Sequence, residues 1–276
     1  MLNYNDFHME YFDSGFVPAA DLLAIDHCRE GRLEYAAAEN TVAYMHAGDM
    51  KLDRRLHHTG RFIFPTGHYH GLTVGIELAA ARKAFQTELQ AFAIDVDLIV
   101  RKFAPSAYPW VIHDVSMMEH IFGEMYQVPQ TIRLPYLRPK ILELLLYLQA
   151  MEPPRNETAR AYFYRTQVEK VRAVQYFLAE HLAQDIPQEA LARQFSFPLT
   201  SMKKCFQAVT GSSIGAWVTT CRMNRAAEML TCDRTKSIAD VGCCVGYDSA
   251  SKFAAAFRRT MGMTPSEYRM ERGGKE

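Results

Sequence analysis

The sequence predicts an α+β chain: a small β-barrel or jelly roll with helices following it, then an all-α domain carrying two helix-turn-helix units. Three observations predict it. Strand-like alternation punctuated by glycine and proline fills roughly residues 20–80, and helical periodicity takes over from about Ala79. Near the C-terminus a pattern of about fifty residues occurs twice.

With 276 residues, 49% of them hydrophobic and 22% charged, the chain can fill two cores and is not a disordered protein. Its longest apolar candidate, residues 141–148, is interrupted by Glu143 and bounded by Arg138 and Lys140, so no membrane association is expected. Residues 1–10 lack a basic region followed by an apolar one, which argues against a signal peptide. Six cysteines (Cys28, Cys205, Cys221, Cys232, Cys243 and Cys244) show neither CxxC pairing nor a disulfide framework. Reduced thiols in the cytoplasm are the expectation, with Cys243 and Cys244 as small packing residues. The net charge of zero hides an asymmetry. Before Phe163 there are 15 basic and 20 acidic residues; from Phe163 onward there are 16 and 11. A basic C-terminal segment fits a nucleic-acid module attached to something else.

Taken in order, residues 41–46 and 50–54 alternate around Gly48 and Asp49, which predicts a hairpin. Leu72, Val74, Ile76 and Leu78 alternate with Thr73, Gly75 and Glu77, a strand with one buried face. By the same period His68 and His70 share the face of Leu72 and Val74, toward the barrel interior. A metal site there needs a carboxylate shortly afterward. Glu77 comes late and on the opposite parity, so even with His57 and His58 nearby no metal and no other cofactor is expected. Tyr44 and Trp110 are aromatic candidates for a pocket wall.

Beyond the breaks at Pro105, Pro109 and Pro129, residues Leu137, Ile141, Leu144, Leu148 and Met151 recur at spacings of four, three, four and three. That is a seam for a partner helix. Leu142, Leu145, Leu146 and Tyr147 give the helix a second apolar face, so that one face covers the barrel and the other meets a second subunit. Pro153, Pro154 and Arg155 then read as a linker. The expected domains are 1–152, a linker at 153–162, and 163–276.

The last domain opens with a capping box of Thr166 and Glu169, followed by Val168, Val171, Val174, Leu178 and Leu182 on one face. The repeat follows. Leu191 and Ala192 answer Val241 and Gly242, and Phe195, Ser196 and Phe197 answer Val245, Gly246 and Tyr247, at an offset of 50. One inserted residue then moves the offset to 51: Met202 answers Phe253, Phe206 answers Phe257, Gly211 answers Gly262, and Trp217 answers Tyr268. Each copy reads helix, tight turn, helix. Gly246 supplies a left-handed turn residue, Asp248 is expected to cap the helix after it, and Ser237 with Asp240 the helix before it.

The run Leu191, Phe206, Thr210-Gly211, Arg222, Ala226, Leu230, Ile238-Ala239, Gly246-Tyr247, Phe253 and Phe257, closing on Gly262, Met263, Thr264, Pro265, Ser266, Glu267, Tyr268 and Arg269, resembles the AraC family DNA-binding domain. It covers about residues 168–269. The resemblance implies two helical subdomains joined by a long helix and reading successive major-groove segments, with recognition helices at 199–209 and 249–260. On the first, Thr200, Ser201, Lys203, Lys204 and Gln207 face outward and can meet bases or phosphate. On the second, Ser251 and Lys252 stand near the helix start and Arg258 near its end. Ala250, Ala254, Ala255 and Ala256 offer little to a base edge, so this helix is expected to hold phosphate. Ser196 and Pro198 depart from the family pattern, which leaves the first recognition helix less well capped.

For the N-terminal part the resemblance implies a cupin-like effector-binding and dimerisation domain, with Tyr44, His68, His70 and Trp110 as pocket candidates. The implied partners are double-stranded DNA, a small-molecule effector, a second copy of the chain and RNA polymerase. The expected function is a sequence-specific transcription regulator, an activator in keeping with the family, and not an enzyme. The alternative is a cupin-type metal-dependent enzyme fused to a DNA-binding domain.

Overall fold

The structure is a computed structural model, and it describes every residue except 16, 18–20, 57–59, 114, 154–161, 234 and 273–276. The chain divides into two compact units, Met1–Arg165 and Thr166–Glu276. No helix among the described residues is long and apolar enough to cross a membrane.

A seventeen-residue strand, β3 (Leu22–Ala38), organises unit 1. Its first half pairs with β5 (Met50–Asp53) and β7 (Tyr69–Glu77), and these pair in turn with β8 (Trp110–Ile112) and β1 (Leu2–Phe7). Its second half pairs with β4 (Thr41–His46) and touches β6 (Arg61–Ile63), which carry β9 (Phe163–Tyr164) and β2 (Tyr11–Asp13). All of these pairings are antiparallel. The strand bends between its halves, where the register with β7 shifts between Cys28 and Glu30. Gly31 sits at the bend with φ +83°, and a side chain there would overlap the His68 carbonyl.

The expected barrel does not close. Among the described residues no ladder joins β1 to β8 or β2 to β9; the sheet is open, with two branches sharing β3. Helices cover one branch instead. Leu23, Ile25, Leu52, Leu72 and Val74 face α1 (Leu78–Gln86), α2 (Val96–Phe103), α3 (Glu119–Gln127) and α4 (Arg133–Ala150) in one apolar core. Cys28 and Leu33 of β3 and Tyr69 of β7, with Met45 of β4 and Phe64 just after β6, form a second, smaller core.

The hairpin expected at Gly48 is also corrected. The strands before and after it do not pair with each other: β4 lies on the second half of β3 and β5 on the first. The chain turns a corner from one branch to the other at Gly48, and the true hairpin is β3–β4. All four residues of β5 are therefore buried, Lys51 and Asp53 included.

The seam on α4 has a different outcome from the expected one. Leu137, Leu144 and Leu148 are buried in the helix-covered core of unit 1, with Ile141 and Met151 packed against it. Of the two apolar faces that periodicity left open, this is the one that covers the core. Leu144→Glu would place an unpaired carboxylate in that core. It should destabilise unit 1 by at least about 4 kcal/mol, rather than merely separate subunits. Urea denaturation followed by circular dichroism checks this; a folded, stable variant would contradict the burial.

In unit 2, α5 (Arg165–Glu180) buries Val168, Val171, Val174 and Leu178. Thr166, expected as its cap, lies inside its first turn. Then come α6 (Gln188–Gln194), α7 (Leu199–Thr210), α8 (Ile214–Cys232), α9 (Ile238–Cys244), α10 (Ala250–Met261) and α11 (Pro265–Arg272). Cys243 and Cys244, expected in the packing, are exposed on α9, whose buried residues are Val241 and Gly242.

Candidate nucleic-acid interface and effector cavity

The two helix-turn-helix units are built alike, bond for bond. In the first, Phe195 N donates to Leu191 O (3.0 Å), Ser196 N to Arg193 O (3.1 Å) and Phe197 N to Ala192 O (2.9 Å). In the second, Val245 N donates to Val241 O (3.3 Å), Gly246 N to Cys243 O (3.0 Å) and Tyr247 N to Gly242 O (3.0 Å). The turn residue is left-handed in both, Ser196 at φ +46° and Gly246 at φ +85°. Each second helix ends on a left-handed glycine, Gly211 or Gly262. The edge-to-face ring pair is repeated as well: Phe206 on Trp217 (5.8 Å, 84°) and Phe257 on Tyr268 (5.4 Å, 82°).

The copies differ at the start of their second helices. Pro198 precedes α7 and gives no side-chain cap, whereas the Ser249 hydroxyl accepts from Lys252 N at 3.4 Å ahead of α10. Ser249 thus holds the position expected of Asp248. The Asp248 carboxylate instead accepts from Lys252 Nζ at 3.1 and 3.2 Å. The Ser237–Asp240 capping box is formed in both directions.

Arg222 on α8 ties the subdomains together. Its guanidinium donates to Leu182 O (2.7 Å) and Gln184 O (2.9 Å) and lies 5.8 Å from the centre of the Tyr247 ring. The sequence reading used Arg222 only as part of a motif. Its spacing from the carbonyls it holds, 38 and 40 residues, has no local signature.

On α7, Met202, Cys205, Phe206 and Val209 are buried. Thr200, Lys203, Lys204 and Gln207 are exposed, and Ser201 is half-buried. On α10, Phe253, Ala256 and Phe257 are buried while Ser251, Lys252 and Arg258 are exposed. The repeat therefore sets Gln207 and Arg258 at matching places one turn before the terminal glycines.

The residues chosen from sequence for an effector pocket in unit 1 do not converge on one cavity. Tyr44 is buried, with its hydroxyl donating to Glu34 Oε2 at 3.0 Å. His68 lies just ahead of β7, its Nε2 3.5 Å from Glu30 and its ring 5.0 Å from that of His8. His70 faces the other way, edge-on to Tyr126 at 5.5 Å. Trp110 packs on the helix-covered core. None of the four lines the three main cavities of the unit. His57 and His58 lie outside the described residues.

One of these cavities, about 170 Å³, lies in the second core against Phe7, Phe12, Leu33, Phe62, Phe64 and Tyr69. Asp26 and Arg55 close one wall. They belong to a buried charge cluster of which strand alternation gave no sign. Asp26 accepts from Arg55 Nη2 (2.7 Å to each oxygen) and from Thr73 Oγ1 (2.6 Å), with Lys51 Nζ at 2.8 Å. Lys51 also reaches Asp53 at 2.5 Å. Burial raises the Asp26 carboxyl, but Arg55 and Lys51 outweigh it and bring it down to about 2. Two carboxylates, one ammonium and one guanidinium thus balance inside the fold.

A family model described as a helix-turn-helix domain matches residues 191–271. Over 97 residues the chain is 34% identical to the virulence regulon transcriptional activator VirF of Yersinia enterocolitica, covering 35% of each chain. It is 32% identical over 99 residues to the HTH-type transcriptional regulator ExsA of Pseudomonas aeruginosa, 36% of this chain and 35% of that one. The C-terminal domain of AraT, a response regulator from Geobacillus stearothermophilus, is similar over 39% of this chain and 88% of that one, at 29% identity and a TM-score of 0.37. The chain spans about a third of the length of the curated relatives it matches. With its doubled turn geometry and the sequence matches over the same residues, the C-terminal unit carries a helix-turn-helix domain of the AraC type, similar to those of these transcription regulators.

Proposed function

We propose that the chain is a sequence-specific DNA-binding regulator in which α7 reads bases, α10 clamps phosphate, and a small molecule held in unit 1 sets the response. The observation that carries this reading is the outward face of α7. Lys203, Lys204 and Gln207 are exposed on a helix whose other face is fully packed, and they have no side-chain partner among the described residues. Lys252 differs: its ammonium rests on Asp248, an exposed and weak pair that a phosphate can open.

Binding to operator DNA selected from a genomic library tests the division. Lys204→Ala should cost about 1–3 kcal/mol and relax the preference at one base position. Lys252→Ala should weaken binding to all sequences and lower the salt slope by about one. Equal, sequence-independent losses for the two variants would refute it.

For the effector we assign the cavity between Phe64, Tyr69 and Leu33, in place of the residues chosen by alternation. Its aromatic walls and its polar end at Arg55, Asp26 and Thr73 suit a small, mainly apolar molecule with one polar group. Small carboxylates, alcohols and amides can be screened by thermal shift of the full chain. Leu33→Trp, which fills the space, should abolish the shift by any hit and leave basal DNA binding unchanged. A hit that still stabilises this variant would put the site elsewhere.

Self-association, if assigned to α4, falls to its outer face, where Leu134, Leu146 and Tyr147 are exposed. Paired subunits would engage paired half-sites at high effective concentration. Activation through RNA polymerase is the direction proposed, since VirF bears the name of a transcriptional activator.

A further inference from the structure

We propose that His46, Asp49 and His113 form a binding site for a divalent transition-metal cation of the zinc type, which pins the corner between β4 and β5 to the chain leaving β8. Strand pairing builds the site. His46 is the last residue of β4, and Asp49 follows Gly48 at the corner. Met50 is paired with Ile112 in the β5–β8 ladder, so His113, the next residue, arrives beside Asp49.

Both imidazoles present Nδ1 to one carboxylate oxygen: His46 at 3.1 Å and His113 at 3.0 Å from Asp49 Oδ2. One ligand atom from each of the three residues lies within 4.8 Å of the others. A tetrahedral ion with bonds of about 2.0–2.1 Å holds its ligand atoms about 3.3 Å apart, close to the 3.1 and 3.0 Å that separate each imidazole from Asp49. Asp49 is buried, while each histidine side chain is 38% exposed. The carboxylate is thereby fixed, and the side facing solvent is left open for water or an outside ligand. Burial raises the Asp49 carboxyl, but the hydrogen bonds from His113 and His46 overcome this and hold it well below the ordinary range, as an anion.

Two imidazoles and one carboxylate select zinc, nickel or copper over magnesium and calcium, which prefer all-oxygen shells. Arg32, paired with His46 across the β3–β4 ladder, is a cation within electrostatic reach of Asp49 and opposes a bound cation. Asp6, His8 and His68 form a second cluster of ligand-type residues in unit 1, more exposed than the first. It serves as the internal control.

Full-length protein stripped of metal and titrated with zinc chloride in a calorimeter should bind one equivalent at this site. At free zinc about a hundredfold above the dissociation constant, the unfolding midpoint of unit 1 should rise by about 5–10 °C. His46→Gln and His113→Gln, each folded by circular dichroism, should lose that equivalent, and His8→Gln should keep it. Cobalt substituted for zinc should give the visible bands of a tetrahedral nitrogen–oxygen site. No saturable binding, retention of the equivalent in either His46→Gln or His113→Gln, or a thiolate-to-cobalt charge-transfer band pointing to the exposed cysteines would overturn the proposal.

Discussion

Replacing Gly246 with alanine should destabilise unit 2 by at least about 3 kcal/mol, while the same change at Gly262 should cost only about 1 kcal/mol. Both glycines are left-handed, at φ +85° and +79°, so both variants carry the backbone penalty of an L-residue in that region. They differ in their surroundings. A Cβ on Gly246 would stand 2.8 Å from the Ala183 carbonyl oxygen and 2.9 Å from an Arg222 guanidinium nitrogen, whereas nothing lies within 4 Å at Gly262. The carbonyl belongs to the backbone and cannot swing aside. Moving Arg222 would break its bonds to Leu182 and Gln184, which join the first subdomain to the second. Gly246→Ala should therefore lower operator affinity as well as stability. Ser196, at the corresponding turn, supplies the reverse test: Ser196→Gly should gain up to about 1 kcal/mol by removing a positive φ from a non-glycine residue. Urea denaturation read by the fluorescence of Trp217 in a Trp110→Phe background measures all three. Equal losses at Gly246 and Gly262 would show that the close approach does not matter.

Unit 2 was legible because its determinants are local. A turn glycine, a capping serine and a stripe such as Met202 and Phe206 act within a few residues, and the repeat at offsets of 50 and 51 displays each of them twice. The error over the cap of α10 was a single position, from Asp248 to Ser249, because both residues can supply the oxygen. Arg222 could not be assigned its role in this way. What it holds is set by tertiary packing.

Unit 1 was legible only in outline. Its strands and its four helices leave periodic traces, but which strand pairs with which depends on the bend in β3 and the corner at Gly48. Neither has a period. The alternation of residues 50–53 says nothing of where its charges go, and Lys51 and Asp53 are buried beside Asp26 and Arg55, which neutralise them. A buried ion cluster looks in sequence just like a solvated face. The histidine pair at 68 and 70 misled for a related reason. The period of two applies only inside a strand, and β7 begins at Tyr69. His46 and His113 are 67 residues apart, so only the β5–β8 ladder brings them together.

Acidification from pH 6.5 toward 4 should strip about 3 kcal/mol from unit 1 through one residue, His27. Its ring is stacked on Phe122 of α3, with centroids 4.0 Å apart and planes 10° from parallel, and its Nδ1 lies 3.1 Å from the Tyr126 hydroxyl. That hydroxyl donates to the His27 carbonyl at 3.3 Å, so the neutral ring donates from Nδ1 to the phenol oxygen and has no need of a second proton. Burial disfavours the charged ring and Arg29 adds to the effect. Asp49 opposes them, and the outcome is a fall from 6.5 to about 4. The sign follows directly. Between those values the unfolded chain binds a proton that the folded chain refuses, so stability is complete above about pH 6.5 and drains away as the pH falls through the folded value. Protonation would also loosen α3 from β3, because Phe122 and Tyr126 pack against the uncharged ring. His27→Phe keeps a ring on Phe122 and removes the titration. In a Trp217→Phe background Trp110 reports on unit 1, and urea denaturation at a series of pH values gives the slope. The wild-type curve should fall more steeply than that of His27→Phe over this window by about 3 kcal/mol in total; parallel curves would mean that His27 is not the group that resists the proton.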